Sequence, residues 1–189
     1  MFTTDMFGRL VNGLDCCPWA GAAGRPGAHH RAGEPPSLYT PEERRRRDES
    51  PWTLVQGILA PVQFAIFLVS LYLVINYLVT GDGLASATAS VIVKTLALYT
   101  IMITGAIWEK EVFGKYLFAP AFYWEDMVSM LVIALHTAYL VAVLTGSLTG
   151  TEQMWLALAA YVTYVVNAAQ FIFKLRAARL QAPATGARP

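Results

Sequence analysis

Residues Trp52 to Val79 read WTLVQGILAPVQFAIFLVSLYLVINYLV, 28 consecutive positions without an Asp, Glu, Lys or Arg. A helix needs about 20 apolar residues to cross the hydrocarbon core of a bilayer. This run is long enough to begin in the interface, with Pro61 as a point where it can kink. Three similar runs follow, at about Leu84 to Trp108, Phe122 to Leu144 and Met154 to Phe173. Backbone polar groups inside lipid must pair within their own segment, so each run is expected to be a helix. The connections are short, and short connections make sequential helices antiparallel neighbours. The expected fold is an all-α integral membrane protein with four transmembrane helices in an antiparallel bundle.

Composition agrees. Of 189 residues, 56% are hydrophobic and 14% charged, against about 25% charged in an average soluble protein. The mean hydropathy is +0.44. Cys16 and Cys17 are adjacent and no C-x-x-C spacing occurs, so neither a disulfide framework nor a cysteine metal site is expected. Arg9, Asn12 and Asp15 interrupt the start of the chain, so a cleaved signal peptide is not expected.

Residues 1–37 are rich in Gly, Ala and Pro and are expected to be disordered, because they cannot bury enough apolar surface to offset chain entropy. His29 and His30 read as solvated tail residues, and Phe2, Met6, Phe7, Leu10 and Val11 as a short amphipathic turn. Thr40-Pro41-Glu42-Glu43 opens a charged helix within 38–50: Thr40 suits the N-cap, Pro41 the first helical position and Glu43 a capping box. Beside an apolar span, Arg44 to Arg47 read as an anchor for anionic lipid headgroups rather than as a nucleic-acid site. The transmembrane domain is expected over 51–180, with a disordered tail at 181–189. Lys110 and Lys115 lie between the second and third spans, and Lys174, Arg176 and Arg179 follow the fourth. The loops around Asp82 and Glu152 contain no Lys or Arg. Both termini and the segment between the second and third spans are therefore expected in the cytoplasm.

That segment, Ile107 to Met127, reads IWEKEVFGKYLFAPAFYWEDM and is the densest in reactive groups. A carboxylic acid boxed at the interface by Trp108, Tyr123 and Trp124 would be desolvated. Desolvation disfavours its charged form, the condition for donating a proton near neutral pH. Glu109, Glu111, Glu125 and Asp126 can also share protons, since crowded carboxylates do not all ionise. The plainer reading pairs these acids with Lys110 and Lys115 and treats the aromatics as an interfacial belt. It serves any single acid better than it serves four acids and four aromatics within twenty residues.

Ionisable groups inside spans are costly and so are functional candidates. Glu125, Ser129, Val132 and His136 follow i, i+4, i+7, i+11 spacing on one helix face, with Asp126 about 100° away. Helical rise puts Lys94 about 21 Å from Trp108 and His136 about 18 Å from Trp124, so the two can meet at similar depth. A packing pair and a substrate role are equally served. Gln56 and Gln63 share a face of the first span, and Tyr164, Asn167, Gln170 and Lys174 one of the fourth. They suit either substrate contacts or interhelical hydrogen bonds. The chain has no P-loop, G-x-G-x-x-G, nucleophile elbow or H-E-x-x-H. The residues alone describe an acidic, aromatic-lined interfacial site suited to a flat apolar substrate and proton transfer.

The runs YTPEERRRRDESPWTLVQGILAPVQF, ASVIVKTLALYTIMITGAIWEKEVFGKYLFAPAFYWEDMVSMLVIALHTAYL and NAAQFIFKLRAARL resemble the 3-vinyl bacteriochlorophyllide hydratase family, also called 2-vinyl bacteriochlorophyllide hydratases. The resemblance covers about Leu38 to Leu180. It implies hydration of the C3 vinyl group of chlorophyllide a, or of the related bacteriochlorophyllide, to a 1-hydroxyethyl group during bacteriochlorophyll biosynthesis. It also implies a bacterial inner membrane, cytoplasmic or intracytoplasmic, as the location. No catalytic residues transfer with it.

This reaction requires a general acid, a base for the water and negative potential beside a benzylic-type cation. The expected acid is Glu125 or Glu109, with Asp126 or Glu111 as base or stabiliser. Trp108, Tyr123 and Trp124 are expected to stack on the macrocycle. His136, Lys94, Ser129, Gln63 and Asn167 are expected to contact it, and His136 is a candidate ligand to the substrate's magnesium. No cofactor is expected beyond the magnesium that the substrate carries. The expected partners are the chlorophyllide, membrane lipid and neighbouring bacteriochlorophyll-biosynthesis enzymes, without nucleic acid; the oligomeric state stays open. A pigment carrier or assembly subunit is the alternative, and it would need no acid. A small proton or cation transporter is a third reading, suggested by Lys94 and His136.

Overall fold

The computed structural model describes residues 38–180; the expectations for residues 1–37 and for the tail from 181 lie outside the described residues. The described residues form five helices: α1 (Pro41–Glu49), α2 (Pro51–Thr80), α3 (Leu84–Phe113), α4 (Tyr123–Thr145) and α5 (Gly150–Leu180). The last four are long and apolar enough to cross a membrane.

Local chemistry sets the helix boundaries. At α1 the capping box closes as expected from its sequence: the Thr40 N–H donates to Glu43 Oε2 at 2.8 Å and the Glu43 N–H to Thr40 Oγ1 at 3.3 Å. Ser50 then caps α2, its Oγ accepting from the Trp52 N–H, with Pro51 at the first helical position. Pro61 lies inside α2, which runs on to Thr80 as one helix. Gly81 and Gly114 end α2 and α3 in the left-handed conformation that glycine adopts at least cost. Compared with the expected spans, α3 extends five residues past Trp108, to Phe113. Glu109 and Glu111 therefore stand on a helix rather than in a connection.

α2 packs most extensively on α3 and α4 on α5, while α2 touches α5 and α3 touches α4, α5 and α1. The main core joins Phe67 and Val74 of α2, Val91 and Leu98 of α3, Val132 and Tyr139 of α4, and Met154, Ala157, Tyr161 and Tyr164 of α5. A second cluster of Tyr39, Val112 and Phe122, with Trp108, Phe113 and Phe171 against it, closes the end where α1 lies. Outward positions carry large apolar side chains such as Leu54, Phe64, Tyr72, Val79, Leu144 and Phe173. An exposed apolar surface of that extent suits lipid rather than water.

At the opposite end α5 begins against the α2–α3 turn. A Cβ at Gly150 would sit 2.8 Å from Leu84 Cδ2 and 2.9 Å from the Tyr77 hydroxyl, so any larger residue there makes those side-chain ends shift.

Candidate active site

The carboxyl groups of the 107–127 segment divide into three environments. Glu109, on the last turns of α3, and Asp126, on the first turn of α4, are 5% and 3% exposed. Their carboxyl groups lie close enough to interact electrostatically. Two carboxyl groups buried this close together do not readily both ionise. The pair is held from the connecting loop: the Phe118 N–H donates to Asp126 Oδ2 at 2.7 Å, and the Ala119 N–H to Glu109 Oε2 at 3.4 Å. Phe118 has φ +58°, a left-handed backbone that a phenylalanine adopts only at a cost. That conformation turns its N–H toward Asp126. Asp126 was expected about 100° off the buried stripe, but the loop folding over the start of α4 buries it as well.

Glu125 forms an ion pair with Lys174 of α5, with Nζ 2.5 Å from Oε2. The same ammonium lies 5.0 Å from the centre of the Phe122 ring. Glu111 faces elsewhere: exposed on α3, it accepts from the Ser50 hydroxyl at 2.6 Å and ties the α1–α2 junction to α3. The four acids are thus a buried pair, a salt-bridged carboxylate beside it and a separate structural contact.

The aromatics sort differently from the expected box. Trp108 donates its indole N–H to Thr53 Oγ1 at 2.9 Å and packs edge-on against Phe113 and Phe122. Phe122 stacks on Phe171 with centroids 5.9 Å apart. Tyr123 and Trp124 meet edge to face on the outer surface, 43% and 42% exposed. The apolar wall around the acids is therefore built from Trp108, Phe113, Phe122 and Phe171.

A polar seam runs from the acids into the bundle between α4 and α5. After Glu125–Lys174 comes Asn167, donating Nδ2 to Ser129 Oγ at 2.8 Å. Deeper lies His136, whose ring centre is 5.9 Å from that of Tyr161. Its Nδ1 is 2.8 Å from the Val132 carbonyl. A carbonyl only accepts, so Nδ1 carries a proton, and in the neutral ring Nε2 keeps its lone pair. Lys94 of α3 lies within electrostatic range of this ring, so the two spans do bring these residues to one depth. Tyr161 completes the layer through its hydroxyl, 2.5 Å from Ser70 Oγ. Gln63 Nε2, Lys94 Nζ, His136 Nε2, Asn167 Oδ1 and Gln170 Oε1 are buried without a hydrogen-bond partner. Among the described residues, no group of three or more His, Cys, Asp or Glu is arranged to hold a metal ion.

Some of the site was not anticipated. Lys174 shares a face with Asn167 and Gln170, so its position was readable, but its pairing with Glu125 was not. The Phe118 and Ala119 amides left no signal, because every residue carries an N–H and nothing in YLFAP marks a left-handed turn.

The family model for 2-vinyl bacteriochlorophyllide hydratase (BCHF) matches residues 39–177. The chain is 66% identical over 146 residues to a protein of Rhodobacter capsulatus with that name, covering 77% of this chain and 85% of the relative. It is 64% identical over 155 residues to a protein of the same name from Cereibacter sphaeroides, covering 82% and 93%. No solved structure matches.

Proposed function

The chain belongs to the 2-vinyl bacteriochlorophyllide hydratase family, and we infer that it is a hydro-lyase adding water to the vinyl group of a chlorophyllide-type substrate in bacteriochlorophyll biosynthesis. The product carries a 1-hydroxyethyl group where the substrate carried the vinyl.

The buried Glu109–Asp126 pair carries the mechanism. Glu109 donates a proton to the terminal vinyl carbon, and the π electrons of the double bond form the new C–H bond. The cation on the inner carbon is delocalised into the macrocycle. Water adds to that carbon and passes a proton to Asp126, and transfer within the pair restores the starting state. Glu125, paired with Lys174, adds a carboxylate beside the cation. It is thereby less suited to be the acid than Glu109, and Glu111 is too occupied with Ser50 to be the base. Hydration is redox-neutral and calls for no cofactor of the protein's own.

The pigment lies along the polar seam. The His136 Nε2 lone pair suits an axial ligand for the substrate's magnesium, and Ser129, Asn167 and Gln63 offer polar contacts to the ring's edge. Tyr123 and Trp124 present exposed rings at the rim, and Trp108 acts from within the wall. Short connections and the distribution of Lys and Arg support an antiparallel bundle in the bacterial inner membrane, with both termini and the acid pair on the cytoplasmic side. Arg44 to Arg47 then meet anionic headgroups.

Membranes containing Glu109→Gln or Asp126→Asn, incubated with chlorophyllide a, test this. Each is expected to lose hydration by about 10²–10⁴-fold, the usual contribution of a positioned acid or base. Product is read as the mass of one added water and as a shift of the red absorption band to shorter wavelength. Full activity in both variants would sink the assignment.

A further inference from the structure

The polar seam holds a buried lysine with no counter-charge. Lys94 is 0% exposed, and among the described residues its Nζ has no hydrogen-bond acceptor and no carboxylate. It faces rings only, 3.5 Å from the centre of Tyr164 and 5.9 Å from that of Phe67. Ring faces offset only part of the cost of an ammonium in hydrocarbon. One turn along α2 from Phe67, Gln63 is also buried, with its Nε2 donor unpartnered. Two unpartnered donors sit beside aromatic surface. His136 offers no anionic group, and its Nδ1 faces the Val132 carbonyl. Such a site calls for an anion attached to a flat apolar body.

The substrate class has that form, because a chlorophyllide is the free acid of its pigment and carries an unesterified propionate. We propose that Lys94, with Gln63 as second donor, binds the propionate carboxylate of the substrate and selects the free-acid pigment over its esters. A carboxylate gains a charge-assisted hydrogen bond from Lys94, whereas an ester presents no charge. This rests on the reading of the seam as the pigment's binding place. It adds what is recognised there and places specificity at the far end of the seam from the reacting carbons. Lys94 and Glu109 are fifteen residues apart on α3, about 22 Å along its axis before side-chain reach. A pigment between them bears its vinyl group and its propionate at different edges of the ring system.

The test is an absorbance titration of the full chain in detergent with chlorophyllide a and, separately, with its methyl ester. The unsubstituted protein is expected to bind the acid more tightly than the ester, on the order of tenfold or more. Lys94→Met should abolish that ratio by weakening the acid alone, and Lys94→Arg should retain a preference for the acid. Equal binding of acid and ester by the unsubstituted protein would overturn the proposal. So would a Lys94→Met variant that weakens both pigments equally. Where Lys94→Met does not accumulate, the comparison of acid with ester on the unsubstituted protein decides alone. Binding is read without turnover, so failure here stays distinct from the outcome of the Glu109→Gln and Asp126→Asn hydration assays.

Discussion

At the residue scale the chemistry rests on how three neighbouring acids are made different. Glu125 meets an ammonium, whereas Glu109 and Asp126 meet each other and two backbone amides. Two carboxyl groups packed together disfavour each other's charged form, whereas a neighbouring ammonium does not. In the proposed mechanism Lys174 therefore separates the acid that stabilises charge from the acids that move a proton. Removing Lys174 leaves Glu125 buried and unpaired, so Lys174→Met should destabilise the folded protein by about 3 kcal/mol. Adding Glu125→Gln to Lys174→Met should recover most of that loss. Thermal unfolding of the single and double variants in detergent measures it, and purely additive effects would mean that the pair is not coupled.

At the element scale, the α1–α2 junction acts as a clamp on the end of α3. Ser50 is at once the N-cap of α2 and the donor to Glu111, and Thr53 links the Arg47 carbonyl to the Trp108 indole. Through these contacts the charged helix braces the wall that shields Glu109. Ser50→Ala should cost about 1 kcal/mol through the lost cap alone, with a further loss from the freed Glu111. Glu111→Gln keeps an acceptor for Ser50 and should retain hydration within about twofold, unlike a positioned acid or base. An equal loss of hydration in Glu111→Gln and Glu109→Gln, at unchanged stability, would return Glu111 to the catalytic group.

At the scale of the whole molecule, charge and apolar length set the placement in a membrane that the proposed orientation predicts. Single cysteines at Asp82 and Glu152, in a Cys16→Ser/Cys17→Ser background, should react with an impermeant thiol reagent from the periplasmic side. A cysteine at Lys115 should react only from the cytoplasmic side, and the reverse pattern would overturn the orientation. The four long helices, the cap at Thr40 and the face running from Glu125 to His136 were legible in the chain itself. The reason is that apolar length, capping chemistry and helical period are local properties. Which acids meet was not legible. Glu109 and Asp126 come from different helices, Lys174 from a third, and the Phe118 turn has no residue that announces it. The sequence by itself determined four apolar helices and a set of acids at one end. Only the tertiary structure decided that one acid is salt-bridged, one is tied to a helix cap and two are buried side by side. Those states depend on which side chains approach across helices, and the periodicity of a single helix carries no information about that.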